Sequence, residues 1–201
     1  MTSTSPGRPR VVGEREQEIL NAALTVLADV GFDNLTMDAV AREARASKAT
    51  LYRRWDGKTS MIIEALVSHR GEERVPDTGS LRADLIESFC GQGGLDDPRQ
   101  LEVFASVMTA VTRDEEFAAA FRRDFVGPKQ RTARAVFAQA RTRGEIAPDT
   151  DLDLIAPALA GVVLHRTLLL GEPPSTALVT RVIDQIILPA VTRTPNQKES
   201  S

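Results

Sequence analysis

Cysteine is almost missing from this chain. Cys90 stands alone, so no disulfide can form within it, and a thiolate zinc site would lack its ligands. Long unbroken apolar runs are missing too. The two longest apolar stretches, around 155–170 and 182–191, are interrupted by Pro157, His165, Arg166, Asp184 and Gln185, too often for a bilayer span. Residues 1–9 are polar and lack the apolar core of a signal peptide. Together these absences point to a soluble, cytoplasmic protein with no membrane partner. An excess of positive charge is also absent: 25 basic residues face 28 acidic ones, a net charge of −3. A bulk count can hide a local patch, so the distribution along the chain matters more. Strand-like alternation and internal repeats are absent as well.

What is present is a succession of helical patterns, with 42% hydrophobic residues to build a core. Leu20, Ala23, Leu24, Leu27 and Val30 recur at helical spacing, and Gly31 is placed to stop that helix. Thr36 suits the N-cap of a short helix through Ala44, with Asp38 near its positive end. Ser47 suits the cap of a third helix running to Trp55, and Asp56-Gly57 reads as a turn. A fourth helix starts near Thr59. The Pro- and Gly-containing segment 71–80 reads as a domain junction. Beyond it come helical patterns over 81–90, 100–112, 115–126 (broken by Gly127-Pro128), 129–143, 151–170 and 176–188. The expected architecture is all-α, about nine helices. A flexible basic arm covers 1–13, a small helical module 14–74, a larger helical domain 81–190, and a disordered tail 191–201.

One segment is strongly basic within this acidic protein. Residues 42–58 hold Arg42, Arg45, Lys48, Arg53, Arg54 and Lys58 against Glu43 and Asp56, a local charge of +4. On a helical wheel Leu51 and Trp55 fall roughly 40° apart and define a buried side. Ala49, Thr50 and Arg53 point away from it, and Lys48 and Tyr52 flank one shoulder. That is what a recognition helix in a DNA groove requires. Small residues permit close approach to base edges, and an arginine reaches O6 and N7 of guanine. Lys, Thr and Tyr hold phosphates. The short turn at Arg45-Ala46 between two short helices suits a helix-turn-helix. The alternative is a solvated basic helix in an ordinary bundle.

The run Gly31-Phe32-Asp33-Asn34-Leu35-Thr36-Met37-Asp38-Ala39-Val40-Ala41 resembles the TetR-family pattern G(F/Y)xxxTxxxIA. Ser47-Lys48-Ala49-Thr50-Leu51-Tyr52-Arg53-Arg54-Trp55 resembles its recognition-helix pattern SKxTLYxxF, and Lys58 matches the lysine that opens the fourth helix. The likeness runs over about residues 14–70. Trp55 stands where the family has Phe, and Asp56-Gly57 replaces a Pro-containing turn. The resemblance implies a DNA surface at Thr36, Arg45, Lys48, Thr50, Tyr52, Arg53 and Lys58, with Ser47 and Ala49 on the same helix. It implies core roles for Leu20, Leu24, Phe32, Val40, Leu51 and Trp55. Arg8 and Arg10, in the arm, are candidates for an adjacent minor groove.

The resemblance also implies a double-stranded operator, a homodimer formed through 152–170 and 177–188, and a small-molecule effector that releases a repressor from a palindrome. The candidates to line an effector pocket are Phe89, Phe104, Met108, Phe121, Phe125, Phe137 and His165, with core packing as the alternative. No cofactor and no metal are expected. Asp149, Asp151 and Asp153 mimic the start of a calcium loop, but Leu154 and Ala160 stand where that loop needs Gly and Glu. Gly91-Gln92-Gly93-Gly94 lacks the strand and the Gly-Lys-Ser/Thr of a phosphate loop. A helical hydrolase or metal-dependent enzyme, and an interaction-only bundle, are the remaining alternatives.

Overall fold

The computed structural model describes residues 11–70, 74–90 and 98–192, and every regular element among them is helical. Arg8 and Arg10, the glycine run at 91–94 and the tail from 193 lie outside the described residues. The chain forms two compact units, one from residues 1–71 with 101–125, the other from 72–100 with 126–201. Residues 101–125 thus cluster with the N-terminal helices.

In the first unit α1 (Val11–Asn34) packs on α2 (Met37–Glu43) and α4 (Lys58–Arg70), and α2 packs on α3 (Lys48–Arg54). Helix α1 begins three residues inside the expected arm. Gly31 interrupts it at φ 72°, a conformation that glycine takes without a Cβ penalty. Leu20, Leu24, Phe32, Val40, Leu51 and Trp55 are all buried, as are Met61 and Ile62 of α4. Val30 departs from the expected apolar stripe: it is 43% exposed and lines a cleft at the end of α1. Residues 101–113 of α6 (Pro98–Arg113) and α7 (Glu115–Ala120) complete this unit, with α7 against α4. A shallow cleft of about 240 Å³ lies between Val30–Asn34 and Ala105, Ser106 and Thr109.

The second unit holds α5 (Leu81–Cys90), α8 (Gly127–Thr142), α9 (Leu152–Leu170), α10 (Thr176–Val182) and α11 (Leu188–Thr192). Its core gathers Leu81, Leu85, Val136, Phe137, Leu159, Val163, Val179 and Ile183. Asp84 is fully buried there. Its carboxylate accepts from the Thr78 N–H and hydroxyl, both at 2.6 Å, and from Arg143 Nη2 at 2.7 Å. Burial alone would push this carboxyl up. The Thr78 bonds and the Arg143 guanidinium outweigh that and hold it below the usual carboxylate range.

Two expectations fail here. Gly127-Pro128 does not break the chain. Glu115–Ala120 runs through a π-helical stretch, Phe121–Val126, into α8. A second π stretch, Ile183–Ile187, precedes Pro189 in α11. A proline has no N–H to give and its ring collides with the carbonyl four residues back; the widened turn just upstream accommodates both. The expected tail also starts too early. Val191 is fully buried, and its carbonyl accepts from the Ala147 N–H at 2.9 Å.

Helix α9 is long and apolar enough to cross a membrane by length and composition, with mean hydropathy 1.5, and few of its residues are buried. Leu159, Val163 and Thr167 turn inward. Leu154, Leu168, Leu169 and Leu170 are exposed, Leu169 at 73%. Asp151 caps the helix by accepting from Asp153 and Leu154 N–H, and Asp153 pairs with Arg134 at 2.8 Å. Two of the three aspartates that mimic a calcium loop, Asp151 and Asp153, therefore do capping and pairing work.

Candidate nucleic-acid interface

Helices α2 and α3 are seven residues each, too short to persist alone, so their ends and their buried sides must fix them. Thr36 Oγ1 accepts from the Ala39 N–H at 3.1 Å and Ser47 Oγ from the Thr50 N–H at 3.1 Å. Each cap satisfies a donor that the helix itself cannot. The Ser47 and Thr50 hydroxyls also bond each other at 2.8 Å.

The far end of α3 is held by side chains. Trp55 is 3% exposed and donates its indole N–H to Glu64 at 2.8 Å, so it packs as core. Arg54 donates to Glu16 at 2.9 Å and to Glu64 at 2.5 Å, with its guanidinium over the Trp55 ring. One side of α3 is thus anchored through Leu51 and Trp55, with Arg54 bound to α1 and α4. The opposite side, carrying Ala49, Tyr52 and Arg53, is exposed, and Thr50 is half-buried.

The six basic residues of this segment divide into two sets. Lys48 pairs with Asp38, Arg54 with Glu16 and Glu64, and Lys58 turns inward. Its ammonium donates to the carbonyls of Phe32 at 2.8 Å and Asp33 at 3.4 Å and sits 4.4 Å from the Phe32 ring centre. Lys58, expected at the DNA surface, thus turns its charge to the carbonyl end of α1. The guanidiniums of Arg42, Arg45 and Arg53 are exposed and bond no described residue. Sequence reasoning left Arg42 out of the site; its place in the basic count was the available signal, but the count does not separate paired from unpaired charge.

The effector candidates are dispersed. Phe104, Met108, Phe121 and Phe125 belong to the first unit, Phe89, Phe137 and His165 to the second. Phe121 and Phe125 are brought together, stacked with centroids 4.9 Å apart, and Phe121 also stacks on Phe117, itself 4.5 Å from Phe32. Phe137 is closed in the core at 1% exposure, Phe89 packs against the same core, and His165 is exposed. None of the seven lines the cleft at Val30–Asn34.

Residues 19–65 match the family model described as bacterial regulatory proteins of the tetR family, and residues 75–186 match the tetracyclin repressor-like C-terminal domain. The chain belongs to the TetR family of transcriptional regulators. It is 34% identical to an HTH-type transcriptional regulator of Mycobacterium tuberculosis over 96% of this chain and 93% of that one. It is 36% identical to the DNA-binding transcriptional repressor TetR of Mycobacteroides abscessus over 87% and 92%. Among solved structures it resembles the TetR family transcription regulator SCO0332, with TM-score 0.57, 29% identity and coverage of 89% and 98%. It shares its fold with FadR of Bacillus subtilis, solved with stearoyl-CoA, at TM-score 0.70, 16% identity and coverage of 85% and 96%. TetR-family members are DNA-binding regulators, not enzymes, so α2 and α3 are the helix-turn-helix of a regulator.

Proposed function

We propose that this TetR-family regulator is a cytoplasmic repressor that grips a palindromic operator as a homodimer and releases it when a small, mostly apolar effector binds. The observation that carries the DNA half is the set of three exposed, unpaired guanidiniums, Arg42, Arg45 and Arg53, around a helix anchored on its other side. Gathered on the helix-turn-helix, guanidiniums without internal partners are available to phosphates and guanine edges. Arg53, beside Ala49 and Thr50, reads bases; Ser47, Lys48 and Tyr52 flank it at the backbone.

The exposed leucines of α9, with Ile186, support the dimer. Several exposed large apolar side chains on one helix leave surface that a partner can cover, and a second copy would place a second recognition helix one turn of DNA away. Val163 is excluded from that face, because it is buried within its own chain. The repressor reading is supported by the name of the Mycobacteroides abscessus relative. The effector reading is supported by a neighbour of the same fold solved with an acyl-CoA. Within the first unit, a row of rings from Phe32 through Phe117 and Phe121 to Phe125 meets Lys58 at one end and Arg70 at the other, the first and last residues of α4. An effector that shifts α7 therefore shifts α4 and the helix-turn-helix beside it, by about 1–3 kcal/mol of coupling, or roughly 5–150-fold in affinity.

The test is an anisotropy titration of an enriched duplex with wild-type protein and Arg53→Ala, alongside sedimentation of the free protein. Preferential binding that weakens on Arg53→Ala, by a protein that sediments as a dimer, is the expected result. Equal affinity for unrelated duplexes, or a monomer at micromolar concentration, would remove this reading.

A further inference from the structure

Arg45 is the one non-glycine residue with a positive φ, 49°, among the described residues. The turn between α2 and α3 imposes it. The Ala46 N–H donates to the Ala41 carbonyl at 2.8 Å and the Arg45 N–H to the Arg42 carbonyl at 3.1 Å. That pair of bonds closes a helix whose next residue is left-handed. Glycine sits there freely; a residue with a Cβ is strained.

A contact from α1 holds the strain in place. Arg15 Nη2 donates to the carbonyls of Ala44 at 2.6 Å and Arg45 at 2.8 Å, while its Nη1 is fixed by Glu18 at 2.5 Å. Strained backbone survives where its surroundings over-determine it, and it gathers at functional sites. The Arg45 side chain gives the fold nothing in return, since its guanidinium is exposed and bonds no described residue. In a helix-turn-helix the turn lies at the groove edge, between the helix that crosses the backbone and the helix that enters the groove.

We propose that Arg45 contacts a phosphodiester of the operator and that Arg15 is the positioning residue that holds it in the left-handed conformation. The turn gives up fold stability to present a cation ahead of the recognition helix. This rests on the DNA reading of α3 given above.

The experiment compares full-length wild type, Arg45→Gly, Arg45→Lys, Arg15→Ala, the Arg15→Ala/Arg45→Gly double variant and Arg53→Ala by thermal melting and by duplex binding over a salt series. Arg45→Gly should melt about 2–4 °C higher, bind about tenfold more weakly, and flatten the log–log salt slope by about 0.9 for each copy at the duplex. Arg45→Lys should keep the wild-type slope and melting temperature. Arg15→Ala should melt lower and bind more weakly at an unchanged slope, with a smaller melting penalty in the Arg45→Gly background.

Unchanged affinity and slope in Arg45→Gly, a lower melting temperature for it, a flattened slope in Arg15→Ala, or equal Arg15→Ala penalties in both backgrounds would each overturn the proposal. If Arg53→Ala weakens binding while Arg45→Gly does not, only this inference fails. If the wild type prefers no duplex, the underlying DNA reading fails and takes this one with it.

Discussion

Replacing Lys58 by alanine separates two roles that a basic residue beside a helix-turn-helix can have. In the structure its ammonium donates to the Phe32 carbonyl at 2.8 Å, reaches the Asp33 carbonyl at 3.4 Å and lies over the Phe32 ring. A hydrogen bond from a charged donor contributes about 1.5–3 kcal/mol, and a partly exposed cation–π contact about 0.5–1 kcal/mol. Lys58 is half-buried, so solvent screening reduces the sum to about 2 kcal/mol. For a chain of this length that lowers the melting temperature by roughly 4–8 °C. The assay pairs thermal melting with duplex binding over a salt series. The account predicts a lower melting temperature and an unchanged salt slope, with Lys58→Arg restoring most of the loss. An unchanged melting temperature together with a slope flattened by about 0.9 per copy would refute it, and would return Lys58 to the phosphates.

Three further outcomes follow from the same geometry. Arg53→Ala should cost about 1–3 kcal/mol on the best duplex and relax preference at one base position, read by competition among single-base variants. Leu169→Glu should yield a folded monomer, checked by light scattering and circular dichroism, whereas Val163→Glu buries an unpaired charge in the core and should cost about 3–5 kcal/mol of stability. Asp84 has a folded pKa below its unfolded value of about 3.9. Its contribution is therefore complete above about pH 4 and lost as pH falls through the lower, folded value; Asp84→Asn should remove that part of the acid dependence of melting.

The short helices of the interface were legible because their signals are local. Thr36 and Ser47 cap as their side chains suggest, and Gly31 and Gly171 take the left-handed backbone that ends or interrupts a helix. The inward turn of Lys58 was not legible, because its partners are carbonyls about 25 residues away and a charge count cannot see them. The Arg15 contact, 30 residues from Arg45, is hidden for the same reason. Val163 illustrates another limit. Helix α9 is apolar on nearly every side, so periodicity could not say which side faces its own chain. The passage through Gly127-Pro128 was hidden because two helix breakers in sequence were absorbed by a widened turn upstream of them.

The central claim is that the exposed side of α3 reads a specific duplex, once from each copy of the chain. The measurement that tests it most directly is selection from a random duplex pool by the full-length wild-type protein, with Arg53→Ala selected in parallel. The account predicts an inverted repeat whose half-sites are centred about one helical turn apart, roughly 34–36 Å, with information lost at one position of each half-site in the variant. A pool that stays random, or one enriched for the same sequence with and without Arg53, would contradict it.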